Sequence, residues 1–394
     1  MAAGKGTRMK SRRPKVLHRL AGRALVDHVI ECARGLHARS TILVTGHGAD
    51  EVEAEVGRSF PGAVFVRQEP QLGTGHAVQQ AVPQLPDDGI ALILNGDVPL
   101  IRPETLQALV QACGGERLAL LGVEMPDPAG YGRIVRQGPH VRAIVEHKDA
   151  TERQREIREV YTGFMAAPNA LLKRWLARLT NDNAQGEYYL TDVVQHAVAD
   201  GVDVVAIACA DRVQVDGVNS PLQLAQLERA WQERNARALM DSGVRLADPA
   251  RIDVRGRLEC GQDVEIDVNC VFEGRVVVGD GARIGPNCVI ANATIAPGAV
   301  IQAFTYMDGN VEVGEGAIVG PFARLRPGAR LGPEVHIGNF VEVKNSTLAR
   351  GAKANHLAYL GDAQVGERVN YGAGSITANY DGANKHRTVI EPAP

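Results

Sequence analysis

The residues best suited to chemistry come first in the chain. Ala2-Ala3-Gly4-Lys5-Gly6-Thr7-Arg8-Met9 is followed by Pro14-Lys15. Two glycines one residue apart let a turn bring its backbone N–H groups against a phosphate or a base edge, where a Cβ would clash. Arg8 and Lys15 add two cations, which suits a triphosphate better than a neutral ligand. The string is not a Walker A loop, since no Gly-Lys-Ser/Thr follows at that spacing, and the third glycine of the dinucleotide fingerprint is absent. Asp97 follows the apolar run Ile90–Leu94 in Asn95-Gly96-Asp97. A carboxylate beside a triphosphate is useful chiefly as an oxygen ligand for Mg2+, a hard cation. Residues 68–77, Gln-Glu-Pro-Gln-Leu-Gly-Thr-Gly-His-Ala, form a polar turn that could read a base edge.

A second set of candidates lies inside a repeat. Val319, Leu325, Leu331, Ile337 and Val343 are six apart, and Ala323, Ala329, Val335 and Val341 keep a second register. Ile284, Ile290, Ile295 and Ile301 hold nearly the same step upstream. Leu348, Ala354, Leu360, Val365 and Tyr371 continue it with five-residue slips. This is the hexapeptide signature of a parallel β-helix, in which each hexad is a short strand plus a corner. Glycines just after the aliphatic (Gly285, Gly320, Gly332, Gly338, Gly366, Gly372) are expected to make the tight corners. His356 stands in this ladder with Tyr359, Asn370 and the non-repeating loop 373–385, which holds Asn379 and Lys385. A loop that breaks a regular repeat is normally functional, and an imidazole of near-neutral pKa suits taking a proton from an amine.

These residues need elements to position them. Apolar runs at 41–45, 63–66 and 90–94 predict strands, and 16–36 and 51–56 predict helices, so the first half reads as a mostly parallel α/β sheet with ligands at the strand carboxyl ends. Ser220-Pro221 and Gly243 bracket a helix over about 221–242, the expected boundary. Domains are therefore expected at 1–219 and 243–394, joined by a linker helix over 220–242. A chain of 394 residues exceeds what one core usually serves. Net charge −3 argues against non-specific nucleic-acid binding. The six cysteines form no C-x-x-C pair, which predicts reduced thiols and a cytoplasmic setting. No stretch reaches the length of a membrane span. Only Met1 precedes Ala2, and Val389-Ile390 opens an apolar unit four residues before the last, so the expectation is a chain cut at both ends.

The string A-A-G-K-G-T-R-M-x4-P-K resembles the signature of sugar-1-phosphate nucleotidyltransferases. Over nearly the whole chain, the two halves together resemble the bacterial bifunctional N-acetylglucosamine-1-phosphate uridyltransferase/glucosamine-1-phosphate acetyltransferase family. The resemblance implies a Rossmann-like nucleotidyltransferase domain followed by a left-handed, three-sided β-helix that assembles as a homotrimer. It implies that the second domain acetylates glucosamine 1-phosphate from acetyl-CoA and that the first couples the product to UTP with Mg2+. The product is UDP-N-acetylglucosamine, a precursor of peptidoglycan and lipopolysaccharide. Carried over residue by residue, it implies UTP and UDP-sugar contacts at Ala2, Ala3, Gly4, Lys15, Gln68, Gly73, Thr74, Gly132, Glu146, Tyr161 and Asn219. Asp97 and Asn219 would be the metal ligands, and Arg8 and Lys15 would neutralise charge in the transfer. Tyr161-Thr162-Gly163 departs from the family's Asn-Thr-Gly, removing an amide expected at the sugar phosphate.

In the second domain the same carry-over makes His356 the general base, with Asn379 orienting it and Tyr359, Asn370 and Lys385 placing the sugar. Three sides of six residues make an 18-residue coil, so Arg326 and Lys344, 18 apart, should stack on neighbouring coils ~4.8 Å apart. Cations that close repel, which is better explained by an anion between them, the sugar phosphate. Two other readings remain at this stage. One is a single-function sugar-1-phosphate nucleotidyltransferase with a structural β-helix, and the other is a non-catalytic regulatory subunit built from the same modules.

Overall fold

The computed structural model describes residues 1–392, and the chain divides into two units, Met1–Leu227 and the stretch from Glu228 onward. The first unit begins with the hairpin β1 (Arg19–Leu20) and β2 (Arg23–Ala24), then α1 (Leu25–Arg34), β3 (Ile42–Thr45), α2 (Ala49–Ser59), β4 (Val64–Arg67), α3 (Thr74–Ala81), β5 (Ile90–Ile93) and α4 (Pro103–Cys113). It continues with β6 (Leu118–Glu124), β7 (Arg133–Gln137), β8 (His140–Val145), α5 (Glu152–Arg155), β9 (Glu159–Pro168), α6 (Asn169–Leu176), α7 (Val193–Ala199) and β10 (Val204–Ala208). Helix α8 (Pro221–Asp241) runs across the division.

Alternation across β6 explains why it reads as one unbroken apolar run. Leu118 and Leu120 pack with Leu172, Trp175 and Val193 of α6 and α7. Ala119 and Leu121 pack with Leu106, Leu109 and Cys113 of α4 on the opposite face. A strand covered on both faces has no polar side to show. β3 pairs β4 in parallel and β6 pairs β10 in parallel, while β9 runs antiparallel between β5 and β6. Residues 1–3 bridge β3 and β5: Met1 N donates to Leu94 O (2.6 Å) and Ala2 N to Val44 O (2.8 Å). The two strands also line a cavity of about 780 Å3.

The helix expected over 16–36 is shorter than the apolar pattern. Ala21 (φ 49) and Gly22 (φ 80) hold a left-handed turn that folds the chain into the β1–β2 hairpin, so α1 begins only at Leu25.

The second unit is a left-handed parallel β-helix, with every ladder parallel among the described strands. Its aliphatic columns (Ile284, Ile301, Val319 and Ile337 in one sheet, Leu325, Val343 and Leu360 in another) are buried in one continuous core. Left-handed residues recur in three columns, one per corner. One holds Asn269, Asn287, Phe304, Phe322, Phe340 and Leu357, another Asp263, Gly281, Gly298, Gly316, Glu334, Gly351 and Arg368, and the third Gly274, Asn292, Asn310, Gly328, Asn345 and Asp362. None of the glycines expected from the repeat stands in these columns, and of them only Gly320, two residues before Phe322, has a positive φ. Gly285 and Gly332 are not left-handed; they are glycine because the next coil's backbone lies against them and leaves no room for a Cβ. A Cβ at Gly285 would stand 2.9 Å from Ala303 N, and one at Gly332 would stand 3.0 Å from Leu348 O. Coil spacing also stacks the exposed Phe304, Phe322 and Phe340 rings at 4.9 and 5.4 Å. Cys270 and Cys288 lie one coil apart in the core, where burial pushes their thiols up to about 12 and about 11.

Candidate active sites

In the first unit the glycine loop is built around a lysine stem. Gly6 is left-handed (φ 58), and a Cβ there would meet Lys15 Cβ at 2.7 Å. Only glycine lets Lys15 pack so close to the loop. From there the Lys15 ammonium pairs with Asp97 and donates to Asn219 Oδ1 at 3.2 Å. Asp97 and Asn219 come from distant segments, and Val218 N donating to Asp97 O (2.9 Å) ties the two together. The two oxygens thus converge on a point where a cation already sits. Such a donor set fits Mg2+, which takes oxygen from one or two protein groups and fills its octahedron with water and phosphate. Arg8 is exposed at the rim. It and Asp97 both act on Tyr131, whose hydroxyl is held above its ordinary pKa mainly by burial.

The loop 68–74 lies beside this centre. Gln71 Nε2 donates to Ala3 O at 2.7 Å. Gln68 is buried, and its amide donates to Gly73 O (2.8 Å) and faces His76 Nδ1 (3.2 Å), so Gln68 shapes the turn. Gly73 (φ 110) and Thr74 are stitched to residues 188–190. A Cβ at Gly73 would meet Tyr188 O at 2.7 Å, and Leu190 N donates to Thr74 Oγ1 at 3.1 Å. Ala2 and Ala3 are buried, while nothing lies within 4 Å of a Cβ built on Gly4.

A third cluster joins Gly132, Glu146 and Tyr161. Tyr161 N donates to Gly132 O at 2.8 Å, and a Cβ on Gly132 would lie 3.5 Å from Glu146 Oε1. Glu146 Oε1 accepts from Thr191 Oγ1 at 3.1 Å, and burial raises the carboxyl's pKa. The Tyr161 ring is turned into the core beside Ile134, Ile144 and Met165, and its hydroxyl is buried with no hydrogen-bond partner. It brings its backbone to the cluster rather than a polar tip.

In the second unit the ladder register does the positioning. Arg326 N donates to Val343 O (2.8 Å), which sets Arg326 and Lys344 on adjacent coils. Arg326 also has a carboxylate beside it. Arg326 Nη1 donates to Glu342 Oε1 at 2.8 Å, and Arg324 reaches the other oxygen at 3.3 Å. Glu342 in turn pairs with Tyr359 in register.

Asp362 draws the next group together. It accepts from Asn379 Nδ2 and Asn345 Nδ2, each at 2.6 Å, and these amides with Lys344 and Lys385 hold its carboxyl below the usual range. His356 is exposed, with Nδ1 3.0 Å from Asn339 Oδ1. His336, Lys353 and Asn370 stack in register on its side of the ladder. The sequence reading missed Glu342, Asp362 and Asn339. The 18-residue count could have found Glu342, which lies one coil from Arg324.

Comparisons with known proteins agree with this architecture. The MobA-like NTP transferase domain matches residues 1–248, and the six-repeat bacterial transferase hexapeptide matches 259–292 and 310–345. The Bifunctional protein GlmU of Paracidovorax citrulli is 71% identical over 99% of this chain and 86% of its own length. That of Polaromonas naphthalenivorans is 72% identical over 99% and 85%, and that of Bordetella parapertussis 58% over 99% and 86%. With identity this high across both units, the chain belongs to the bifunctional GlmU family.

Proposed function

We propose that this protein makes UDP-N-acetylglucosamine in two steps, acetyl transfer and then uridylyl transfer. The observation that carries the second step is the convergence of Asp97 and Asn219 on the Lys15 ammonium beside the glycine loop. The sugar phosphate oxygen attacks the α-phosphorus of UTP in line. A P–O bond forms, and the bond to the bridging oxygen breaks to release pyrophosphate. Little covalent chemistry is left for the protein, so positioning and charge neutralisation dominate. Bound at Asp97 and Asn219, Mg2+ would neutralise phosphate charge. Lys15 would move from that oxygen pair onto the phosphates, and Arg8 would meet the leaving group from the rim. Gly73, Thr74 and the ordered Gln68 turn would frame the base, with Gly132 and Glu146 beside the sugar.

For acetyl transfer, the glucosamine nitrogen attacks the thioester carbonyl, His356 takes the nitrogen's proton, and the CoA thiolate leaves. Lys344, with Arg326 held in place by Glu342, meets the sugar phosphate. Tyr359, Asn370 and Lys385 place the sugar, and Asn379 is fixed by Asp362. Uridylyl transfer is assigned to residues 1–219 and acetyl transfer to 243–394, with 220–242 as the linker and the β-helix forming a homotrimer. The cytoplasm, where UTP and acetyl-CoA are found, is the proposed compartment; no described helix is long and apolar enough to cross a membrane.

Two assays on the same sample test the reading. Pyrophosphate release should require UTP, N-acetylglucosamine 1-phosphate and Mg2+, and CoA-thiol release should require glucosamine 1-phosphate. Turnover of another sugar phosphate in the first and none in the second would favour a single-function enzyme, and no turnover in either would favour a regulatory subunit.

A further inference from the structure

The contact between His356 and Asn339 follows from ladder register. His356 ends the strand Lys353–His356, just before Leu357 in a left-handed corner (φ 46). One coil earlier Asn339 ends the strand His336–Asn339, just before Phe340 at φ 56. The two strands pair in parallel, with Asn339 opposite His356. That coil is one residue short, because Val343 to Leu348 spans five residues where the repeat spans six. A full coil would set Leu357 opposite Asn339. The shortened one brings the imidazole Nδ1 to 3.0 Å from the amide oxygen.

An amide oxygen only accepts, so the ring nitrogen facing it carries the hydrogen and the other nitrogen keeps the lone pair. We infer that Asn339 is a positioning residue that holds His356 in the Nδ1–H tautomer, leaving Nε2 as the basic nitrogen for the amine. The consequence for catalysis rests on the acetyl-transfer reading; the tautomer does not. An amide suits this task better than a carboxylate would. A carboxylate would stabilise the imidazolium and leave less free base near neutral pH. Among the described residues, His336 and Lys353 stack in register on this face. Burial, Lys353 and His356 all lower the pKa of His336.

Nitrogen-15 NMR of histidine-labelled full chain reads the tautomer directly, with His356→Gln assigning the resonance among the eleven histidines. The wild type should carry its hydrogen on Nδ1. Asn339→Leu should shift the population toward Nε2–H while the other ten histidine signals stay in place. Asn339→Asp, nearly isosteric, should keep the tautomer and raise the His356 titration midpoint by about one unit. In the acetyl-transfer assay, Asn339→Leu should lower kcat roughly tenfold, as expected for one lost hydrogen bond, with both KM values nearly unchanged. A wild type with the hydrogen on Nε2, or a tautomer unmoved in Asn339→Leu, overturns the inference. A wild type that transfers no acetyl group but shows the expected tautomers instead sinks the functional reading alone.

Discussion

Removing the Asp97 carboxylate is the sharpest test of the first site. Asp97 and Lys15 are 19% and 15% exposed at their side chains, so the pair is partly desolvated. At an effective dielectric near 20, two unit charges ~4 Å apart attract by roughly 4 kcal/mol. Desolvation of both groups offsets most of that, leaving a net value of about 1–2 kcal/mol, between exposed and buried pairs. Asp97→Ala should therefore lower Tm by only a few degrees, given roughly 2–4 °C per kcal/mol for a unit of this size. Its effect on chemistry should be far larger. Losing a preorganised electrostatic group typically costs about 10²–10³ in kcat, and here the same change also removes a metal ligand. The assay is Mg2+-dependent pyrophosphate release from UTP and N-acetylglucosamine 1-phosphate, titrated in Mg2+, beside CoA-thiol release on the same sample. The first activity should fall at least a hundredfold while the second is retained, since every residue assigned to it lies in the other unit. Uridylyl transfer within threefold of wild type would refute the metal and phosphate reasoning. Equal loss of both activities in a folded protein would refute the assignment to separate sites.

Lys344→Ala should raise KM for glucosamine 1-phosphate by one to two decades and spare KM for acetyl-CoA, since a charge-assisted contact contributes ~1.5–3 kcal/mol; an unchanged sugar KM would make Lys344 ordinary surface charge. Burial holds the Glu146 carboxyl above its ordinary 4.5, so the folded state binds that proton more tightly than the unfolded one. Its ionisation then costs stability progressively as pH rises from about 4.5 through the raised value. Glu146→Gln should accordingly raise Tm near pH 7, with a gain that shrinks toward pH 4, and a pH-independent gain would contradict the assignment. Gly73→Ala places a Cβ 2.7 Å from Tyr188 O at φ 110; it should cost at least about 1–3 kcal/mol of strain and weaken UTP binding, and calorimetry with KM(UTP) would expose an error.

The sequence by itself determined the order of the two units, the glycine loop and the β-helix. Each is written in local or strictly periodic signals: a glycine pair beside cations, and an aliphatic every sixth residue. Strands β3, β4 and β5 were legible for a related reason, since a short apolar run between turns has few other places to go. The false helix over residues 16–24 shows where local pattern fails, because Ala21 and Gly22 reverse a chain whose apolar spacing carries no mark of the hairpin. The corner glycines failed in a different way. Gly332 is glycine because a neighbouring coil comes too close, and that neighbour lies sixteen residues away at Leu348.

Tertiary structure alone decided which groups meet. Nothing in the order of residues says that Asn219 would share the Lys15 ammonium with Asp97, or that the Tyr161 hydroxyl would turn into the core. Glu342 at Arg326, Asp362 at Asn379 and Asn339 at His356 depend on coil register, and one five-residue slip shifts every pairing beyond it. Composition and period name the residues able to do chemistry. Contacts between distant segments set their partners, their charge compensation and the nitrogen on which a proton resides, because those depend on distances that no local pattern encodes.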